Sequence, residues 1–119
     1  IDEIKKEFNL KIIKKISLKV SDDLNKIYNY RDIDYLLFDY KPNINELPGG
    51  NSKSFDWNLL LGQKIELPWF ISGGINETNI KKIKNFTNPD GIDLSSGVEE
   101  SPGVKNIEMI NTLFQKYNA

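Results

Sequence analysis

Four short apolar runs recur along this chain, and a segment with helical spacing follows each of them. The runs are Lys11–Lys19 (KIIKKISLK), Asp34–Tyr40 (DYLLFDY), Trp69–Ile71 (WFI) and Gly91–Leu94 (GIDL). Regular alternation of strand and helix patterns specifies a parallel sheet, because parallel neighbours need a crossover and a helix is the usual one. The first run alternates Ile16 and Leu18 with Ser17 and Lys19, as a strand with one covered face would. The second holds Leu36, Leu37 and Phe38 consecutively, which suits a strand covered on both faces.

The helical segments follow from caps and spacing. Ser21 is placed to cap a helix whose apolar face is Leu24, Ile27 and Tyr28. A Pro-, Asn- and Gly-rich loop, Lys41–Ser54, leads into a short helix around Trp57, Leu60 and Leu61; structureless loops this long in compact domains are usually functional. Asn76 caps a third helix, Asn76–Phe86, with Ile80 and Ile83 inward. Lys105–Tyr117 closes the chain as an amphipathic helix through Ile107, Ile110, Leu113, Phe114 and Tyr117. Ile1, Ile4 and Phe8 also fall at helical spacing with no cap before them, so the reading expects the end of a helix there. One domain over residues 1–119 is expected, since no linker or composition shift interrupts the pattern. Four such units make either half of an eight-stranded barrel or a small open sheet.

Two turns stand out chemically. In Trp69–Asn79, WFISGGINETN, an apolar run gives way to Gly73 and Gly74; in Gly91–Gly103, GIDLSSGVEESPG, it gives way to Ser95, Ser96 and Gly97. Small residues directly after a strand let backbone N–H groups face an anion. Two such turns in adjacent units would converge on one phosphate. Asp39 sits near the end of its strand, where α/β enzymes keep their chemistry.

Composition removes several classes of function. With no cysteine and no histidine, a zinc site of the usual ligands, a disulfide framework and histidine acid–base chemistry are all excluded. A net charge of −1 with dispersed lysines gives no field that would attract nucleic acid. No apolar run approaches the ~20 residues of a membrane span, and no secretion signal opens the chain, so a cytoplasmic location is expected. Arg31 is the single arginine, which reflects coding bias more readily than function.

Taken together, LLFDY, GGNSKSFDW, WFISGGINETNI and GIDLSSGVEESPGVK resemble the C-terminal half of the phosphoribosylanthranilate isomerase family of tryptophan biosynthesis. That family's motifs read approximately LLD, GGxGxxFDW, SGGLxPENV and VDxSSGVE followed by PGxKD, in the same order and at similar spacing. The resemblance implies the C-terminal half of a (β/α)8 TIM barrel, from the end of its fourth helix through its fifth to eighth βα units. It implies an Amadori rearrangement that opens the ribose ring of N-(5'-phosphoribosyl)anthranilate and yields a 1-deoxyribulose, with no cofactor and no metal. Asp39 matches the family's general acid. Asp93 matches a substrate-binding aspartate, Gly49 and Gly50 belong to a loop over the substrate, and Gly73, Gly74, Ser95, Ser96 and Gly97 match its phosphate-binding residues. The general base is a cysteine on the family's first strand, so the N-terminal half of the barrel and its base are expected to lie outside this chain. One departure is Ser52, where the family's loop carries a second glycine.

Other readings stay open at this point. Asp39 also reads as a helix cap or a lysine's partner; Gly73–Gly74 is equally a tight turn, and Asp93 also reads as a structural acceptor of backbone N–H groups. Glu99 fits a cap or a salt bridge better than chemistry. Lys14 reads as solvated, Phe55 and Trp57 as packing anchors, and the lysines of Lys81–Lys84 as an exposed helix face. A non-catalytic half-barrel that binds phosphorylated ligands, and pairs with itself or with an N-terminal half-barrel, would share these features, since unpaired sheet edges invite association. So would a related sugar-phosphate isomerase of histidine biosynthesis.

Overall fold

The structure, a computed structural model, describes residues 2–18, 24–25, 27, 32–40, 57–60, 65–86 and 88–119. Helix α1 (Asp2–Phe8) leads into strands β1 (Ile13–Leu18) and β2 (Tyr35–Tyr40). A 3-10 turn (Trp57–Leu60) precedes β3 (Trp69–Ile71), α2 (Ile80–Phe86) and β4 (Gly91–Ile92). A second 3-10 turn (Ser96–Val98), a hairpin of β5 (Glu99–Ser101) and β6 (Val104–Lys105), and α3 (Ile107–Asn118) complete the chain.

Strands β1 to β4 form one four-stranded sheet, all parallel and in sequence order. That order decides between the two architectures left open by pattern alone. A doubly wound sheet reverses its strand order at a switch point, whereas a barrel adds each strand beside the last. Register across the sheet aligns Ile16 with Phe38, Phe38 with Ile71, and Ile71 with Ile92.

Side-chain alternation then gives the sheet two faces. One carries Ile16, Leu18, Leu36, Phe38, Trp69 and Ile71, all buried in a single core with Ile80, Ile83 and Leu113 of the helices. Phe38 meets Trp69 edge to face, with centroids 5.4 Å apart. Leu24 and Leu60 join this core, and Ile27 packs on it. The other face carries Ile13, Lys15, Ser17, Tyr35, Leu37, Asp39 and Phe70; it is only partly covered, and Tyr35 stacks on Phe70 at 5.5 Å.

Three details depart from the sequence reading. Regular helix α2 starts at Ile80, because residues 76–79 form a turn before it. In α3, Ile107 and Phe114 are 75% and 56% exposed, while Met109, Ile110 and Tyr117 pack around buried Leu113. Ile107 and Phe114 lie roughly 100° round the helix from Leu113, beyond the reach of the sheet. The β5–β6 hairpin was not expected; its turn places Gly103 at φ +83°, a conformation glycine adopts freely. In α1, Ile4 and Phe8 have the expected spacing but are about half exposed. Ile1, Ser21 and Tyr28 lie outside the described residues.

Two aspartates fasten the N-terminal edge of the sheet in the same way. Asp34 accepts the Ile12 N–H on Oδ2 at 2.7 Å and donates its own N–H to the Ile12 carbonyl at 2.9 Å. Asp90 does the same with Trp69, at 2.9 Å for both bonds. Asp34 also pairs with Lys5 Nζ at 3.1 Å. The Ile12 hydrogen bond, with Lys5 second, holds the Asp34 carboxyl below the usual carboxylate range. The folded chain therefore binds this proton less readily than the unfolded one. Its contribution to stability is complete above the unfolded value near ~4 and is lost as pH falls through the lower folded value. Melting the wild type and Asp34→Asn between about pH 6 and about pH 3 should show a smaller acid loss of melting temperature in the variant; equal losses would refute the linkage.

Candidate functional site

Asp39 is the fifth residue of β2 and stands beside Ser17 of β1 in register. Phe38, Ile71 and Ile92 share one level of the sheet, so Asp39, Ser72 and Asp93 follow one residue later on three successive strand ends. Backbone bonds carry the pairing to that level: the Ser72 N–H donates to the Phe38 carbonyl and the Asp93 N–H to the Ile71 carbonyl, each at 2.9 Å. At the usual strand spacing, Asp39 and Asp93 are then about 10 Å apart along the row. The Asp39 side chain is 17% exposed, and its Oδ2 lies 3.1 Å from Lys15 Nζ. Asp93 is exposed.

The turn after β3 is fixed from behind. Gly73 and Gly74 have φ of +97° and +64°, in the region other residues rarely enter, so the glycines here serve the turn whatever else they do. Ile75 anchors the turn in the core. Asn76 then acts as the cap expected of it, although four residues ahead of the regular helix. Its Oδ1 accepts the Thr78 N–H, its carbonyl accepts the Ile80 N–H, and its own N–H donates to Asn79 Oδ1. This reciprocal pattern is a capping box. Asn79 Nδ2 also donates to the Gly74 carbonyl at 2.8 Å, tying helix start to turn.

The turn after β4 is seated against the first. A Cβ placed on Gly97 would lie 1.8 Å from the Ile75 carbonyl oxygen, so only a glycine backbone can approach this closely. The turn after β4 therefore meets the turn after β3 where the Gly97 backbone lies against that of Ile75 and Asn76. Lys105 braces the second turn: its Nζ donates to the Ser95 carbonyl at 3.1 Å and pairs with Glu99 at 3.0 Å. Glu99 also accepts the Gly103 N–H across the hairpin, and its pair with Lys105 is the salt bridge the sequence reading favoured.

Two residues escaped that reading. Lys15 was passed over although the alternation of Ile16 and Leu18 already set it on the opposite face, with Asp39. Lys105 was taken as the start of a helix, and its brace depends on a hairpin that the Pro102–Gly103 turn signal could have revealed. Gly49, Gly50, Ser52 and Phe55 lie outside the described residues, as does the Trp57 side chain. Among the described residues no helix is long and apolar enough to cross a membrane, and no group of three or more acidic residues is placed to hold a metal ion.

Comparison with known proteins gives one consistent result. The family model described as N-(5'phosphoribosyl)anthranilate (PRA) isomerase matches residues 2–116. The curated N-(5'-phosphoribosyl)anthranilate isomerase of Brucella canis is 45% identical over 114 residues, covering 94% of this chain and 51% of its own length. The chain thus spans about half the length of the curated relatives it matches. The crystal structure of phosphoribosyl anthranilate isomerase from Thermotoga maritima superposes with a TM-score of 0.77 at 26% identity, covering 99% of this chain and 57% of that one. A further structure of such an isomerase, in complex with reduced 1-(o-carboxyphenylamino)-1-deoxyribulose 5-phosphate, has a TM-score of 0.75 at 25% identity and covers 99% of this chain and 55% of that one.

Proposed function

The chain belongs to the N-(5'-phosphoribosyl)anthranilate isomerase family, and from that premise we propose that it supplies the acid and the phosphate cradle of an isomerase working in tryptophan biosynthesis in the cytoplasm. The observation that carries this reading is the level row Asp39, Ser72 and Asp93 beside two glycine-containing turns seated on one another. A phosphate at the turns after the last two strands of a barrel is where such barrels commonly hold one. The sugar of N-(5'-phosphoribosyl)anthranilate then extends along the row toward Asp39.

In this reading Asp39 gives its proton to the ribose ring oxygen as the bond from that oxygen to C1 breaks. The anthranilate nitrogen lone pair forms the C=N bond that replaces it. Asp93 accepts hydrogen bonds from the sugar hydroxyls, and the loop with Gly49 and Gly50 covers the substrate. A base then takes the proton from C2, giving an enolamine that rearranges to the 1-deoxyribulose. The chain has no cysteine, so the thiolate base expected of the family comes from the half of the barrel that bears the first four strands. That half pairs with the open face of Tyr35, Leu37 and Phe70 and with the free edges of β1 and β4.

The test is turnover by this chain alone and by the chain fused behind the first half of the Brucella canis relative. The fusion should consume N-(5'-phosphoribosyl)anthranilate and the chain alone should not. Turnover of the histidine-pathway aminoaldose in its place would overturn the substrate assignment, and turnover by the chain alone would overturn the division of acid and base.

A further inference from the structure

We propose that Lys15 is a positioning residue for Asp39; the proposal rests on Asp39 being the acid, and it deepens that reading by naming what aims the acid and faces the carboxylate it leaves. Register places Lys15 beside Leu37 and Ser17 beside Asp39. The lysine therefore reaches diagonally, by two residue positions, toward the C-terminal end of the neighbouring strand. Its ammonium ends 3.1 Å from Asp39 Oδ2. The pair sits on the face that Tyr35, Leu37 and Phe70 leave partly open, away from the helices.

Two consequences follow from that geometry. The terminal torsion of a carboxylate is broad, and the ion pair through Oδ2 restricts the orientation of the Asp39 carboxyl group. Proton donation also leaves Asp39 as a carboxylate, and the Lys15 ammonium already stands at hydrogen-bond distance from it. Lys15 therefore acts at the moment the proton leaves, as a counter-charge already in place. Lys14 cannot substitute, because alternation puts it on the other face, with Ile16 and Leu18. Nor does burial explain Lys15: its side chain is 43% exposed.

In the fusion described above, Lys15→Met should lower kcat about tenfold, the scale of one lost charge-assisted hydrogen bond. KM should change by less than about twofold, because substrate contacts remain. Lys15→Arg should recover most of kcat, since a guanidinium can hold the same oxygen. Lys14→Met should leave kcat unchanged. Melting temperatures of all variants separate this effect from unfolding, and Lys15→Gln replaces Lys15→Met if the latter fails to fold. With Asp39→Asn inactive, a Lys15→Met enzyme of wild-type kcat, or an equal loss in Lys15→Arg, overturns the pairing while the isomerase reading stands. Wild-type turnover by Asp39→Asn overturns both.

Discussion

Asp39→Asn in the completed barrel should lower kcat by about 10²- to 10⁴-fold, the contribution of a well-placed general acid. Asparagine keeps the shape and one acceptor oxygen, so Lys15 retains a partner and the strand end retains its packing. What is removed is the proton, and the ring oxygen then departs without one. KM should stay within a few-fold, because the proposed phosphate site lies elsewhere, on the turns after β3 and β4. Steady-state kinetics of wild type and variant measure both quantities. A kcat within tenfold of wild type would show that another group protonates the ring oxygen. The prediction draws on Asp39 being part of a level row with Ser72 and Asp93, set by the parallel register.

Gly97→Ala should be the most damaging single methyl group added to the described part of the chain. Its Cβ would meet the Ile75 carbonyl oxygen at 1.8 Å and the carbonyl carbon at 2.9 Å. Both are backbone atoms, so no side-chain rotation relieves the clash, and the two turns must move apart. Overpacking of this kind costs about 3 kcal/mol or more where the neighbour cannot yield. Because those turns are the proposed phosphate cradle, KM should rise as stability falls. Gly103→Ala provides the contrast: Gly103 has φ +83° but nothing within 4 Å of its Cβ position. It should cost only the left-handed backbone penalty, about 1 kcal/mol. Urea midpoints of the two variants decide the matter, and an unfolding midpoint for Gly97→Ala equal to wild type would contradict the seating of the turns.

Much of this architecture was legible because parallel sheets write themselves into sequence. Leu36, Leu37 and Phe38 marked a strand, and β2 runs through them, but only the face of Leu36 and Phe38 is buried while Leu37 looks onto the partly covered side. Trp69–Ile71 is β3 as expected from its apolar run. Asn76 was recognised as a cap from its residue type and its place after a glycine pair, and it caps. Its helix starts late because the capping box uses residues 76–79 as a turn. What remained illegible depended on contacts between segments distant in sequence. Whether Ile107 or Met109 faces inward is decided by how α3 packs against α2 and the Ser96–Val98 turn, which helical spacing alone does not contain. The ion pair of Lys15 and Asp39 joins residues on neighbouring strands, and only the register of β1 against β2 brings them within reach. Seating of Gly97 on Ile75 is likewise a meeting of two turns, invisible in either motif alone. The family was legible through resemblance, and the substrate is proposed from it, because a parallel sheet with two such turns fits many chemistries.

The measurement that tests the account most directly is a crystal structure of the fusion with reduced 1-(o-carboxyphenylamino)-1-deoxyribulose 5-phosphate bound. The account predicts the phosphate between the turn of Gly73 and Gly74 and the turn of Ser95 to Gly97, accepting backbone N–H bonds from both. It predicts the ribulose chain running along the row from Asp93 to Asp39, with Asp39 Oδ1 toward the sugar and Oδ2 on Lys15. A phosphate held away from these turns, or an Asp39 carboxylate facing away from the sugar, would contradict it.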